Sequence, residues 1–238
     1  MTKNNSHEVK TAPLNQEVKL ITLVDIKAYP ELTFLVQKAD SAMEAIGYTE
    51  HGRRHTAVAA TRAREVLLGV GAEPRRAELG AIAAYLHDIG NLVNRAYHAQ
   101  TAALLVYPVL VHMGMPLEEI CDIITAIGNH DEKDGEPVND LCAAVILADK
   151  SDVHRSRVRT TEYLRQDIHD RVNFAATYSR LAVNSGSDVI SLSLSIDTSI
   201  SSVMEYFEIF LSRMVVCRRA AEYFKHGFEL EINGQRLS

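Results

Sequence analysis

The stretch Ala83 to Asn91, AAYLHDIGN, constrains this chain more than any other. Ala81 to Leu86 is an apolar run that reads as a buried helix, and His87 and Asp88 arrive where core residues are expected. A buried carboxylate without a partner is costly, so such a residue is normally paired or metal-bound. The fold has to bring partners to the end of this helix.

Other helices are expected from Glu31 to Ile46, Gly52 to Leu68, Pro74 into the opening stretch, His98 to Gly114, Met115-Pro116 to His130, and Asn139 to about Asp152. The apolar residues in these segments recur at the helical period, with proline in first turns and glycine at ends. A brief helix is expected after Thr22, and residues 1–19 are expected to be poorly ordered. Asn91 to Tyr97 reads as a linker, Pro108 as a kink, and Asp131 to Glu136 as a solvated acidic turn.

Several of these apolar stripes carry an ionisable group. His55 shares a face with Val58, Ala59 and Val66, and His98 with Ala102 and Leu105. His130 follows Ile123, Ala126 and Ile127, and Asp149 lies four residues after Val145. Any one of them alone reads as an ordinary core histidine or helix-end aspartate. Their joint occurrence around an adjacent His-Asp pair points to one shared site. Imidazole and carboxylate suit divalent transition metals, and facing helices hold them rigidly. His112 lies on the His98 face but 14 residues on, roughly 20 Å at ~1.5 Å per residue, so it is expected to be structural. His51, one turn before His55, is placed to line the mouth of the site, but a surface role is the expectation.

The pattern changes after Asp167. Ile190, Leu192, Leu194 and Ile196 alternate with serines and Asp197, as in a half-buried strand. A weaker strand is expected over Val172 to Val183, joined to it by a turn at Asn184 to Ser187. A long helix from Ser199 to about Lys225, capped by Asp197 or Thr198, follows, with Gly227 as its C-cap and a last strand at Phe228, Leu230 and Ile232. The expected fold is therefore mainly α: a helical domain over 20–160, then a small ββαβ unit over 168–238 with an antiparallel sheet on one long helix.

A net charge of -6 argues against a general nucleic-acid binder, so a polymeric nucleic-acid partner is not expected. Cys121, Cys142 and Cys217 form no CxxC pair and read as reduced core residues. The N-terminus has no apolar signal-peptide core, and the longest apolar run is too short to span a bilayer. No membrane association and a cytoplasmic location are expected.

The order H55…H87-D88…H98…H130…D149 resembles the HD-domain metal-dependent phosphohydrolases, through RRHTAVAATRA, AAYLHDIGN, HAQTAALLV, AIGNHDE and ILADKSD. The resemblance covers roughly residues 50–155. The full chain is also similar to a bacterial and archaeal branch with a C-terminal ββαβ extension, for which no substrate is implied. It implies an HD-domain helical bundle, with His55, His87, Asp88 and Asp149 as core metal ligands, Asp88 bridging if two ions bind, and His98 and His130 as the extra ligands of dinuclear members. The implied cofactor is one or two divalent ions (manganese, iron, nickel, cobalt or zinc, with magnesium compatible). Asn91 replaces the lysine usual after HDIG in cyclic-dinucleotide hydrolases, and no GYP motif follows, which argues against that activity. HDIGNL also lacks the acidic pair of alarmone hydrolases.

The expected reaction is hydrolysis of a small phosphate ester, a nucleotide or related phosphomonoester, by attack of metal-bound hydroxide. Asp88 or His87 is expected to act in catalysis, and Lys150, Arg155, Arg95 and Arg62 to hold the phosphate. Two alternatives stand. An HD-type mixed-valent di-iron oxygenase uses the same six ligands, and a metal-stabilised nucleotide-sensing or dimerisation module would not be an enzyme at all. A homodimer through the C-terminal unit is expected.

Overall fold

The computed structural model describes residues 20–161, 167–184 and 186–237. The disorder expected for residues 1–19 lies outside the described residues. The chain runs α1 (Leu23–Ala28), α2 (Pro30–Ala45), α3 (Arg53–Gly69), α4 (Pro74–Leu86), a 3₁₀ turn (Ile89–Leu92), α5 (His98–His112), α6 (Leu117–Gly128), α7 (Asp140–Lys150), a second 3₁₀ turn (Arg155–Arg157), α8 (Ile168–Ala175), β1 (Ala176–Asn184), β2 (Val189–Ile196), α9 (Val203–Tyr223), β3 (Gly227–Ile232) and β4 (Gln235–Arg236). Among the described residues it is a mainly helical fold with one small sheet.

Two helices form the centre. Every residue of α4 from Leu79 to Leu86, and of α7 from Leu141 to Lys150, is buried. A helix apolar on all sides must be surrounded. α3, α6 and α7 pack on α4, and α3, α6 and α9 pack on α7. Thr22 opens α1 with a reciprocal capping box to Asp25, and Asn139 caps α7 by accepting from the Cys142 N–H. The Glu50 carboxylate caps α3, accepting from the Arg54 and His55 amides at 3.2 and 3.1 Å. α3 and α5 begin close to where α4, α6 and α7 end, so five helix termini meet at one end of the bundle.

The expected linker after Asn91 begins as the 3₁₀ turn Ile89–Leu92, because this segment packs against α2 and α5. Gly90 permits that packing. A Cβ there would lie 1.9 Å from the His98 carbonyl oxygen and 2.6 Å from the Ala102 nitrogen. α5 continues through Pro108, and Leu104, whose carbonyl loses its partner, is exposed to solvent.

The C-terminal unit departs from expectation in several ways. Of the expected strand Val172 to Val183, the part from Ala176 onward is a strand and the part before it is helical. Asp167 accepts from the His169 and Asp170 amides and starts α8, whose Val172 and Ala175 are buried at helical spacing. The sheet, ordered β1-β2-β3-β4, is mixed: β1 and β2 are antiparallel, but β2 and β3 run parallel because α9 is the crossover between them. The unit is thus ββαββ, preceded by a helix. α9 begins at Val203 because Ser202 and Glu205 make the capping box, whereas Asp197 is spent on a turn with Ser199. Gly227 is the first residue of β3, its N–H donating to the Asp188 carbonyl, and Lys225 takes the left-handed position after α9 with φ of 60°. The hairpin joins β1 to β2, with Ser185 outside the described residues. All three cysteines are free thiols, but Cys121 is exposed rather than in the core. No helix among the described residues is long and apolar enough to cross a membrane.

Candidate metal centre

His55 lies in the first turn of α3, and His87 and Asp88 directly follow α4. His98 is the first residue of α5, His130 lies just after α6, and Asp149 is in the last turn of α7. The structure brings these side chains together, all buried or nearly so. The His55 and His87 Nε2 atoms are 3.4 Å apart, and those of His98 and His130 3.2 Å. Asp149 Oδ1 lies 3.2 Å from His55 Nε2 and 3.6 Å from His87 Nε2. Asp88 spans both pairs: Oδ2 is 3.2 Å from His87 and 3.6 Å from His55, and Oδ1 is 3.5 Å from His98.

The second ring nitrogens fix what the first can do. Nδ1 of His87, His98 and His130 faces the carbonyls of Ala84, Arg95 and Ile127 at 2.7, 3.1 and 2.6 Å. A carbonyl only accepts, so each Nδ1 carries the proton. His55 Nδ1 faces Asp152 Oδ2 at 2.7 Å. Burial opposes charge on that carboxyl, but the His55 hydrogen bond and the Arg157 charge hold it far below the usual carboxylate range. His55 therefore donates too. In the neutral rings the Nε2 lone pairs of His55, His87 and His130 point at the shared space, while that of His98 also faces Arg95, an arrangement that is repulsive unless a cation or protons sit between the rings. Donors about 2.1 Å from one ion lie roughly 3.0–3.4 Å apart at octahedral or tetrahedral angles, close to the separations found. His55, His87 and Asp149 each offer a donor atom to one position, as do His87, Asp88 and His130. The cluster fits a metal ion.

Electrostatics agree with a cation-binding cluster. Burial opposes charge on His87, yet the Asp88 and Asp149 carboxylates overcome it and lift its pKa to about 10. Burial, reinforced by the His87 and His98 rings, pushes His130 well below the ordinary imidazole value. Asp88 resists the upward push of burial because His87 lies beside it, and its pKa falls well below the usual range. Asp149 behaves alike, held down by Lys150 and His87.

The cations expected to hold phosphate part company. Lys150 is buried and held by Asp149 Oδ2 at 2.7 Å and Glu132 Oε2 at 2.5 Å, so it orients a cluster carboxylate. Arg95 stands at the cluster, 3.2 Å from both His98 Nε2 and Asn91 Oδ1. Arg62 lies elsewhere, tying α3 to Ser151 and to the Ser179 carbonyl of β1. Arg155 is exposed and stacks on Phe174.

Several participants were not assigned these roles from sequence. Asn91 donates to Asp88 Oδ1 at 2.8 Å, positioning the spanning carboxylate. Asp152 orients His55, and its place three residues after Asp149, one helical turn, was the available signal. Glu132 lies in the loop expected to be a solvated turn, but Lys150 draws it inward, and Arg213 of α9 lies 3.5 Å away. His51 is buried rather than at the surface: its Nδ1–H donates to the Thr49 carbonyl at 2.6 Å, and its ring stands 5.6 Å from that of His55. It lines a cavity of about 430 Å³ that also touches Arg95, Glu132, Lys133, Arg157 and Arg213. Comparison with protein-family models, with curated proteins and with solved structures finds no match.

Proposed function

We propose that this protein is an HD-type metal-dependent phosphohydrolase acting on a small phosphate ester, a nucleotide or related phosphomonoester. The observation that carries the reading is the convergence of four imidazole Nε2 lone pairs on a carboxylate that spans them. His55, His87, Asp88 and Asp149 would hold one divalent ion, and His98 and His130 would serve as the extra ligands if a second is bound. Such ions supply an activated water near neutral pH and polarise a phosphoryl oxygen.

The chain's own groups do the rest. Asn91 fixes the Asp88 carboxylate, and Lys150 and Asp152 orient Asp149 and His55. Orienting partners of this kind tune ligand geometry and basicity. The cavity beside the cluster is lined by Arg95, Lys133, Arg157 and Arg213 and by Glu132, Asp167 and Asp170, and Arg157 is spent on the Glu50 and Asp152 carbonyls, so Arg95 and Arg213 are the guanidinium groups suited to phosphate there. At about 430 Å³ it is sized for a small molecule. His51 is kept neutral by burial and the Arg157 charge, and on the cavity wall it can accept a hydrogen bond at Nε2. A di-iron oxygenase would use the same six side chains, but Arg95 and Arg213 on the cavity wall favour the phosphate reading.

The test is metal analysis of protein purified without added metal, paired with a phosphate-release screen. Asp149→Ala is expected to lose both metal and activity. Full metal occupancy in that variant would overturn the assigned site. About one ion per wild-type chain would remove the dinuclear part, and iron with oxygen uptake in place of phosphate release would establish the oxygenase.

A further inference from the structure

The cavity beside the metal cluster is walled by both halves of the chain. Arg95 and Lys133 come from the helical domain, and Asn173 of α8 with Arg213 of α9 from the C-terminal unit. Arg213 is held ready. Its guanidinium lies 4.3 Å from the centre of the Phe210 ring, and Nε faces Glu132 Oε1 at 3.5 Å, an ion pair looser than a good hydrogen bond. Arg95 spends one amino group on Asn91 and His98, and that donor is freed once the His98 lone pair is used in metal binding. Asn173 is only 4% exposed. Its Nδ2 donates to the His169 carbonyl at 2.8 Å, but its buried Oδ1 has no hydrogen-bond partner among the described residues. A buried acceptor left unmatched beside a cavity suits a ligand donor.

We propose, resting on the phosphohydrolase reading, that the C-terminal unit completes the substrate pocket. Arg213 takes the phosphate together with Arg95, and the Asn173 carboxamide oxygen accepts from a hydroxyl of the organic part. The substrate is then a hydroxyl-bearing phosphomonoester of sugar-phosphate size. Asp170, buried on the same wall, offers a further acceptor to such hydroxyls.

Calorimetric titration of the metal-loaded full chain with inorganic phosphate and with the non-hydrolysable phosphonate analogue of ribose 5-phosphate tests this. Wild-type protein is expected to bind both, the sugar phosphate more tightly. Arg213→Gln should weaken both by roughly tenfold or more with bound metal unchanged, and Arg213→Lys should recover part of the loss. Asn173→Leu should leave phosphate affinity and bound metal intact and abolish the sugar-phosphate advantage. Unchanged phosphate affinity in Arg213→Gln, or its loss of metal, overturns the anion assignment. A sugar-phosphate advantage that survives Asn173→Leu overturns the hydroxyl assignment. Fully metal-loaded wild type that binds neither probe overturns the phosphohydrolase reading itself, and the pocket assignment with it.

Discussion

His87 concentrates the electrostatics of the cluster. Its Nδ1–H is committed to the Ala84 carbonyl, so the proton it gains sits on Nε2, the atom a metal needs. With the pKa lifted to about 10, metal-free protein keeps this proton at pH 7. Metal binding must displace it. Affinity is therefore expected to rise about tenfold per pH unit between pH 6 and 8, with about one proton released per ion at this site, measurable by titration calorimetry in buffers of different ionisation enthalpy. The sign for stability is opposite. A folded-state pKa raised above the ordinary 6.5 contributes stability to metal-free protein that is complete below about pH 6.5 and lost as pH rises through about 10. Asn91 acts on the neighbouring ligand. Asn91→Ala leaves Asp88 Oδ1 without its 2.8 Å donor, and metal affinity is expected to fall about 10–100-fold with helicity unchanged by circular dichroism.

At the scale of elements, the site depends on how closely the 3₁₀ turn after α4 approaches the start of α5. That approach sets the spacing between the His55–His87 pair and the His98–His130 pair. Gly90→Ala places a methyl group against backbone atoms that cannot swing away. The expected cost is about 1–3 kcal/mol, read as a lower Tm, with metal stoichiometry falling because the two halves of the cluster move apart. The extra half-buried charge pair between Glu132 and Arg213 links the loop after α6 to α9, so the C-terminal unit touches the surroundings of the site rather than hanging from the bundle.

For the whole molecule, the metal-free cluster gathers four imidazole rings and the Asp88 and Asp149 carboxylates in the buried interior. A ligand that binds only the folded chain stabilises it by mass action, about 2.7 kcal/mol at a hundred times Kd. Chelation followed by dialysis is therefore expected to lower Tm by several degrees, and adding back the divalent ion should restore it. An unchanged Tm would remove the metal from the account of stability. Because the donors come from α3, α5, the segments after α4 and α6, and α7, the ion would clamp five segments at one end of the bundle.

The sequence by itself determined the helices of the first two thirds and the identity of the clustered residues, because apolar stripes at helical period leave an ionisable residue on a core face conspicuous. The alternation of Ile190, Leu192, Leu194 and Ile196 made β2 equally legible. Only the tertiary structure decided the rest. Asp152, Glu132, Arg213 and Asn173 look like ordinary surface residues in sequence, and their roles come from the way the chain folds: 97 positions separate His55 from Asp152. Likewise, the parallel pairing of β2 with β3 depends on the path of α9, and Arg62 and Arg155 were drawn away from the cluster by partners in β1 and α8. Burial is a local pattern that a helical period displays, whereas the partner of a polar group is set by which distant segment folds against it.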